Sequence, residues 1–331
     1  MTPEQLAGML AGEPAYRLQQ VWEGLYRHGT PPEELTTLPV GLRARLADEP
    51  GLAPSLWPDV EAVSDAGATL KWRWRLADGR RIETVLMHYG RRSTACVSSQ
   101  AGCAMGCGFC ATGQAGFDRN LTVGEIVEQV VRARAAARAH GGRVSNVVFM
   151  GMGEPLANYQ RVWAAVERLH ADLGLSARHI TVSTVGIVPG IRRLASERLP
   201  VNLAVSLHAA DDELRDRLVP INRRYPLDEL TAACRDYVAS TRRRLSFEWA
   251  LIDGVNDGLG QADRLARLAR PLKAHVNLIP LNPTPGYPSR GTPRAGVSAF
   301  RAALAERGVN ATVRDNRGTD IAAACGQLAA R

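Results

Sequence analysis

Lysine is almost missing from this 331-residue chain, with Lys71 and Lys273 the only two. Positive charge is nonetheless in excess, at a formal net +8 and a pI near 9.5, so arginine carries nearly all of it. The planar guanidinium fork pairs bidentately with phosphate and stacks on bases, which suits a nucleic-acid partner, although a GC-rich genome would give the same surplus. Long apolar runs are missing too. None approaches the ~20 residues of a membrane helix, so no membrane partner is expected. Residues 1–13 include Glu4 and Glu13 and lack a basic stretch followed by an apolar core, so no secretory signal is expected and cytoplasm is the default compartment. Hydrophobic residues at 45% and charged residues at 22% are ordinary for a globular chain. The length allows one large α/β domain with a smaller appendage, and a monomer is expected.

What is present is cysteine in an unusual distribution. Of Cys96, Cys103, Cys107, Cys110, Cys234 and Cys325, four fall within fifteen residues. In a chain without an export signal, that crowding points to metal or redox chemistry rather than a disulfide framework.

Hydrophobic periodicity divides the chain into an N-terminal helical module (1–58), a β-hairpin (59–94), an alternating β/α region (95–293) and a C-terminal extension (294–331). In the hairpin, Leu70-Lys71-Trp72-Arg73-Trp74-Arg75 alternates basic and aromatic residues, and a second strand follows Asp78-Gly79 through Ile82 and Val85. Strands are predicted at Ala95–Ser99, Asn146–Met150, His179–Thr184, Val201–Leu207, Leu245–Ile252 and Val276–Leu281. Thr122-Val123-Gly124-Glu125 reads as a capping box, and helices are predicted at Tyr159–Leu173, Leu227–Ser240 and Ala262–Leu272. Six such units imply parallel strands in a partial (β/α)6 barrel with one side open to a macromolecule. A Pro-rich loop from Asn282 to Pro293, a helix Arg294–Arg307, a strand Ala311–Arg314 and a last helix near Asp320 complete the expectation.

Cys103-Ala104-Met105-Gly106-Cys107-Gly108-Phe109-Cys110 puts three thiols in one tight loop after the first barrel strand, where catalytic groups gather in such folds. Iron–sulfur clusters usually take four thiolates, so three leave one iron open to a ligand; a zinc site and plain buried cysteines are the alternatives. Gly151-Met152-Gly153-Glu154-Pro155 follows the apolar run Val147–Met150, combining glycines that permit close backbone approach with a carboxylate able to hold an ammonium.

The C-x3-C-x2-C spacing with an aromatic before the last cysteine, joined to that glycine turn, resembles the signature of the radical S-adenosylmethionine (SAM) superfamily. Cys96–Cys103, Gly116–Leu121, Ser206–Ala209 and Asp320–Leu328 are similar to blocks of the adenine-methylating RlmN/Cfr family, over nearly the whole chain. Phe117-Asp118-Arg119-Asn120-Leu121 resembles the RlmN branch more than the Cfr branch. The resemblance implies a 4Fe-4S cluster on Cys103, Cys107 and Cys110, and two SAM molecules per turnover. One methylates Cys325; the other is cleaved reductively to a radical that removes hydrogen from the cysteine methyl group. The resulting carbon radical attacks carbon 2 of adenine, which is electron-poor and resists polar methylation. Cys96 then resolves the protein–RNA thioether through a disulfide bond, and Glu83 matches the proton acceptor. Gly153, Glu154, Ser183, Ser206, Leu207, His208 and Asn282 match the SAM contacts. The implied partners are 23S ribosomal RNA, transfer RNA, and an external electron donor such as flavodoxin or ferredoxin. Cys234 reads as core. Arg91, Arg92, Arg119, Arg223, Arg224 and Arg242 to Arg244 are the candidate RNA contacts. Three other readings remain: a Cfr-like carbon-8 methyltransferase, a radical enzyme with a non-RNA substrate, and a zinc-bound RNA-binding module without catalysis.

Overall fold

The structure is a computed structural model that describes residues 1–329. Its first elements are α1 (Pro3–Met9), α2 (Tyr16–Trp22) and α3 (Val40–Ala47). Thr2 caps α1 reciprocally, its hydroxyl accepting the Gln5 N–H (3.2 Å) while the Gln5 side chain accepts the Thr2 N–H (2.8 Å). Leu6, Leu10, Val21, Leu35, Leu42 and Leu46 give this module a core of its own.

Three antiparallel strands follow, β1 (Trp57–Ser64), β2 (Thr69–Arg75) and β3 (Arg81–Tyr89). The expected hairpin is therefore the inner part of a three-stranded unit. β1 lies at the sheet edge, interrupted by Pro58 and a bulge and exposed from Pro58 to Glu61, so it lacks the apolar alternation that marks a strand. Nor is the unit detached. β3 pairs with β4 (Arg92–Cys96), so it continues into the barrel sheet.

A two-stranded ribbon, β5 (Gln100–Gly102) with β6 (Phe117–Asn120), encloses the short α4 (Ala111–Ala115). Then come α5 (Val123–Ala139), β7 (Arg143–Phe149), α6 (Tyr159–Ala171), β8 (Ile180–Thr184), α7 (Val188–Ala195), β9 (Asn202–Ser206), α8 (Asp212–Leu218), α9 (Leu227–Thr241), β10 (Leu245–Leu251), α10 (Leu259–Ala269), β11 (His275–Pro280), α11 (Arg294–Glu306) and β12 (Ala311–Val313). Strand order is β1-β2-β3-β4-β7-β8-β9-β10-β11-β12, antiparallel up to β4 and parallel beyond it. This is the expected partial barrel, open between its terminal strands. β12 adds to β11 in parallel, so the tail extends the sheet.

Three helices, the short α4 and also α7 and α8, have no counterpart in the sequence expectation. α7 buries Val188, Ile191 and Leu194 at helical spacing, but Pro189 and Gly190 in its first turn read as a loop; α8 is mostly charged, with only Leu214 and Leu218 as apolar anchors. No helix forms near Asp320. Gly318, Ala322 and Gly326 take positive φ there (62°, 52° and 85°), which breaks helical continuity. Among the described residues no helix is long and apolar enough to cross a membrane.

Candidate active site

The three-cysteine loop hangs between β5 and α4. It is closed by hydrogen bonds from the Cys103 N–H to the Gly116 carbonyl (2.7 Å) and from the Cys110 N–H to the Cys107 carbonyl (3.1 Å). Gly102 makes the closure possible: its φ is +74°, and a Cβ there would sit 2.1 Å from the Gly116 oxygen. Cys103, Cys107 and Cys110 line one cavity. Burial, reinforced by Glu154 and the neighbouring thiols, pushes Cys103 up to about 12 and Cys107 also upward. Burial disfavours the free thiolates, so a bound cation would be needed to hold these groups ionised. Among the described residues no three His, Cys, Asp or Glu side chains converge to hold one metal ion.

Just past β7 comes the turn from Gly151 to Glu154. A Cβ on Gly151 would lie 2.7 Å from the Val97 carbonyl, and one on Gly153 (φ +96°) would lie 2.5 Å from the Gln100 Cβ. The turn thus packs directly on the strand that leads to the cysteines. The Glu154 carboxylate, 2% exposed, accepts the N–H groups of Leu156 (2.9 Å) and Val185 (2.8 Å). Burial lifts its pKa to about 7 against those bonds, so a bound ammonium would find a carboxylate that gains by being paired.

Ser183, Ser206, His208 and Asn282 line the same cavity, as do Gly153 and Glu154. His208 has φ +59°, and its Nδ1 accepts the Ala250 N–H at 2.9 Å, so the proton of the neutral ring sits on Nε2. Burial, then the nearby Arg215, depress its pKa to about 3. Leu207 differs from its neighbours. Its side chain is fully buried away from the cavity, its N–H donates to the Glu248 carbonyl, and its carbonyl accepts from Arg215, so it serves as scaffold. Sequence reasoning missed Arg215. It is 0% exposed and donates to the carbonyls of Val185 (2.6 Å), Ser206 (3.4 Å) and Leu207 (3.1 Å) and to Asn222 Oδ1 (2.7 Å), tying together the ends of β8 and β9.

The C-terminal segment lies across this opening. Cys325 lines the cavity, and its carbonyl accepts the Asn282 amide at 3.0 Å. The Gly326 carbonyl accepts the Ala111 N–H (2.8 Å), and the Leu328 carbonyl accepts the Thr112 hydroxyl (2.5 Å), so the tail is laced to the helix following Cys110. Cys96 is buried at the end of β4, near enough to Cys325 for that thiol to bear on its ionisation. Burial first, then Cys325, push Cys96 up to about 12, and Arg314 opposes them. All six cysteines are free thiols, and Cys234 is buried in the core. Glu83 does not line the cavity. It lies under the tail, paired with Lys71 (3.2 Å) and accepting the Ala329 N–H (3.1 Å).

Arg119 is not an open RNA contact. Its guanidinium is held by Asp78 (2.5 Å) and bidentately by Glu125 (2.7 and 2.9 Å), joining the hairpin turn to the N-terminus of α5. Arg243 is partly buried and donates to Asn202, whereas Arg91, Arg92, Arg223, Arg224, Arg242 and Arg244 are exposed. On β2, Trp72 and Trp74 are buried, and Lys71 and Arg73 are engaged by Glu83 and Asp59.

The radical SAM superfamily matches residues 97–266. A protein from Chloroflexus aurantiacus, named a dual-specificity RNA methyltransferase RlmN, is 54% identical over 334 residues, covering 97% of this chain and 88% of that one. Its namesake from Frankia casuarinae is 57% identical over 332 residues, covering 96% of this chain and 78% of that one. The crystal structure of a radical SAM methyltransferase from Sphaerobacter thermophilus superposes with a TM-score of 0.95 at 51% identity, covering 100% of this chain and 98% of that one.

Proposed function

The chain belongs to the RlmN family of radical SAM RNA methyltransferases, and from that premise we propose that it methylates carbon 2 of an adenine in 23S ribosomal RNA and in transfer RNA, with Cys325 as methyl carrier. The observation that carries this reading is one cavity lined at once by Cys103, Cys107, Cys110, Glu154 and Cys325. Membership implies a 4Fe-4S cluster and SAM as cofactors.

Cys103, Cys107 and Cys110 would hold the cluster, which when bound would supply the one-electron reducing power that SAM cleavage requires. Glu154 takes the cofactor's ammonium, and Gly153 leaves room beside it. Ser183, Ser206, His208 and Asn282 contribute the remaining polar contacts, with Leu207 fixing the backbone between two of them. Two SAM molecules serve each turnover, because Cys325 must be charged with a methyl group before hydrogen can be removed from it. Cys96 releases the product by forming a disulfide with Cys325. Glu83 accepts the ring proton once the tail lifts, since its carboxylate is otherwise occupied by Lys71 and Ala329. The target adenine must be unpaired or flipped to reach the cavity, and the exposed arginines among those named grip the surrounding phosphates. An external flavodoxin or ferredoxin delivers the electron.

The test is mass spectrometry of nucleosides from RNA treated with enzyme, SAM and a reductant. The expected product is 2-methyladenosine, absent with Cys325→Ala at unchanged iron content. Product that persists at full yield in Cys325→Ala would refute the carrier role, and 8-methyladenosine would refute the regiochemistry.

A further inference from the structure

His208 is held in a conformation that costs energy. Its φ is +59°, and it sits at the centre of a three-residue turn closed by the Ala209 N–H donating to the Leu207 carbonyl at 2.8 Å. Three-residue turns with positive φ are rare and strained, and glycine is the residue that fits them most cheaply. Such strain persists only where the surroundings over-determine it, and it gathers where a side chain must be aimed. Three contacts fix His208. Its Nδ1 accepts the Ala250 N–H at 2.9 Å, the Phe109 ring meets the imidazole in a T-shaped contact at 4.9 Å, and its carbonyl accepts Asn256 Nδ2 at 2.8 Å.

Asn256 lies in the loop after β10, is 0% exposed, and spends its amide wholly on the main chain. Its Oδ1 accepts the Ile252 N–H at 2.7 Å. Its Nδ2 donates one hydrogen to the His208 carbonyl and the other to the Ala250 carbonyl at 2.6 Å. One N–H and two carbonyls admit a single orientation of the amide, and aspartate, which has no donor when ionised, could serve only the first of them. Ala250 is shared between the two residues: its N–H holds the imidazole and its carbonyl holds Asn256. Asn256 therefore ties the strained turn to the strand that anchors the ring. Because Nδ1 is an acceptor, the ring's remaining donor is the Nε2–H, on a residue that lines the cavity.

Resting on the reading that His208 contacts SAM, we infer that Asn256 is the positioning residue for that contact, holding His208 in its left-handed turn so that the Nε2–H meets an acceptor atom of the cofactor. Without the Asn256 donor the His208 carbonyl is left unpaired in a buried place, and the turn is free to relax toward negative φ. That relaxation carries the imidazole away from the Ala250 N–H and from the cavity.

The test measures SAM binding by calorimetry on anaerobically prepared, iron-loaded protein, in a double-mutant cycle of His208→Ala and Asn256→Asp. His208→Ala is expected to weaken binding about tenfold, the worth of one buried hydrogen bond. Asn256→Asp keeps the size and the acceptor for Ile252 but removes the donors, and is expected to cost a similar factor. The double variant is expected to bind no more weakly than His208→Ala alone, because Asn256 acts through that ring. A purely structural Asn256 would keep its factor in the His208→Ala background, so losses that multiply overturn the inference, as does an unchanged affinity in Asn256→Asp. Should Asn256→Asp fail to fold or to take up iron, Asn256→Ser replaces it in the same cycle, and failure of both overturns the inference in favour of a purely structural role. Failure of the underlying reading looks different: SAM affinity unmoved in His208→Ala shows that His208 does not touch the cofactor, and withdraws the inference with it.

Discussion

Lys71 and Glu83 meet across β2 and β3 with the ammonium 3.2 Å from a carboxylate oxygen, and both also hold the tail. The Lys71 ammonium donates to the Ala322 carbonyl (3.3 Å), and the second Glu83 oxygen accepts the Ala329 N–H (3.1 Å). One buried ion pair thus brackets the segment that presents Cys325. Lys71→Met would leave the Glu83 carboxylate, only 6% exposed, without its cation. The expected outcome is a loss of about 3 kcal/mol in urea unfolding and faster amide exchange over residues 322–329 than in wild type.

Asn282 anchors the carrier from the other side through its 3.0 Å bond to the Cys325 carbonyl. Losing one such bond costs about 1 kcal/mol, so Asn282→Ala should slow Cys325 methylation about fivefold at saturating SAM. The methylated peptide, followed by mass spectrometry over time, reads this directly.

Gly153 tolerates no side chain, because its φ is +96° and an added Cβ would come within 2.7 Å of the Gln100 main-chain nitrogen. Gly153→Ala should destabilise the protein by at least about 2 kcal/mol. SAM affinity, measured calorimetrically on whatever fraction folds, should fall with it.

Glu154 sets a pH dependence of known sign. Burial raises its pKa from 4.5 to about 7, so the folded protein binds that proton more tightly than the unfolded chain does. Its stability contribution is full below pH 4.5, declines as pH rises to about 7, and is flat beyond. On the order of 3 kcal/mol is involved, at 1.4 kcal/mol per pH unit. His208, held neutral with a pKa near 3, slopes the other way below pH 6.5, so the comparison must be with Glu154→Gln. In SAM-free protein that variant should gain on wild type as pH rises from 5 to 8 in urea unfolding.

The features legible in the sequence are those whose partners lie nearby in the chain. The cysteine loop, the Gly151–Glu154 turn and the Thr122 capping box are local arrangements, and each strand of the barrel announces itself by its own apolar run. Arg215 could not be read that way. It looks like one more charge in a polar helix, yet its acceptors come from Val185, Ser206 and Leu207 at the ends of two strands. Arg119 misled for the same reason, since Asp78 belongs to a distant turn. β1 went unmarked because an exposed edge strand needs no apolar alternation, and the tail because small residues at positive φ have no periodicity to detect.

Isotopic tracing of a single turnover tests the carrier role of Cys325 most directly. Protein charged at Cys325 with a 13C-methyl group is freed of excess SAM, then given RNA, reductant and unlabelled SAM. The first equivalent of 2-methyladenosine is expected to contain 13C, with unlabelled product only from the second turnover onward. A first equivalent carrying unlabelled carbon, while 13C stays on Cys325, would contradict the carrier mechanism.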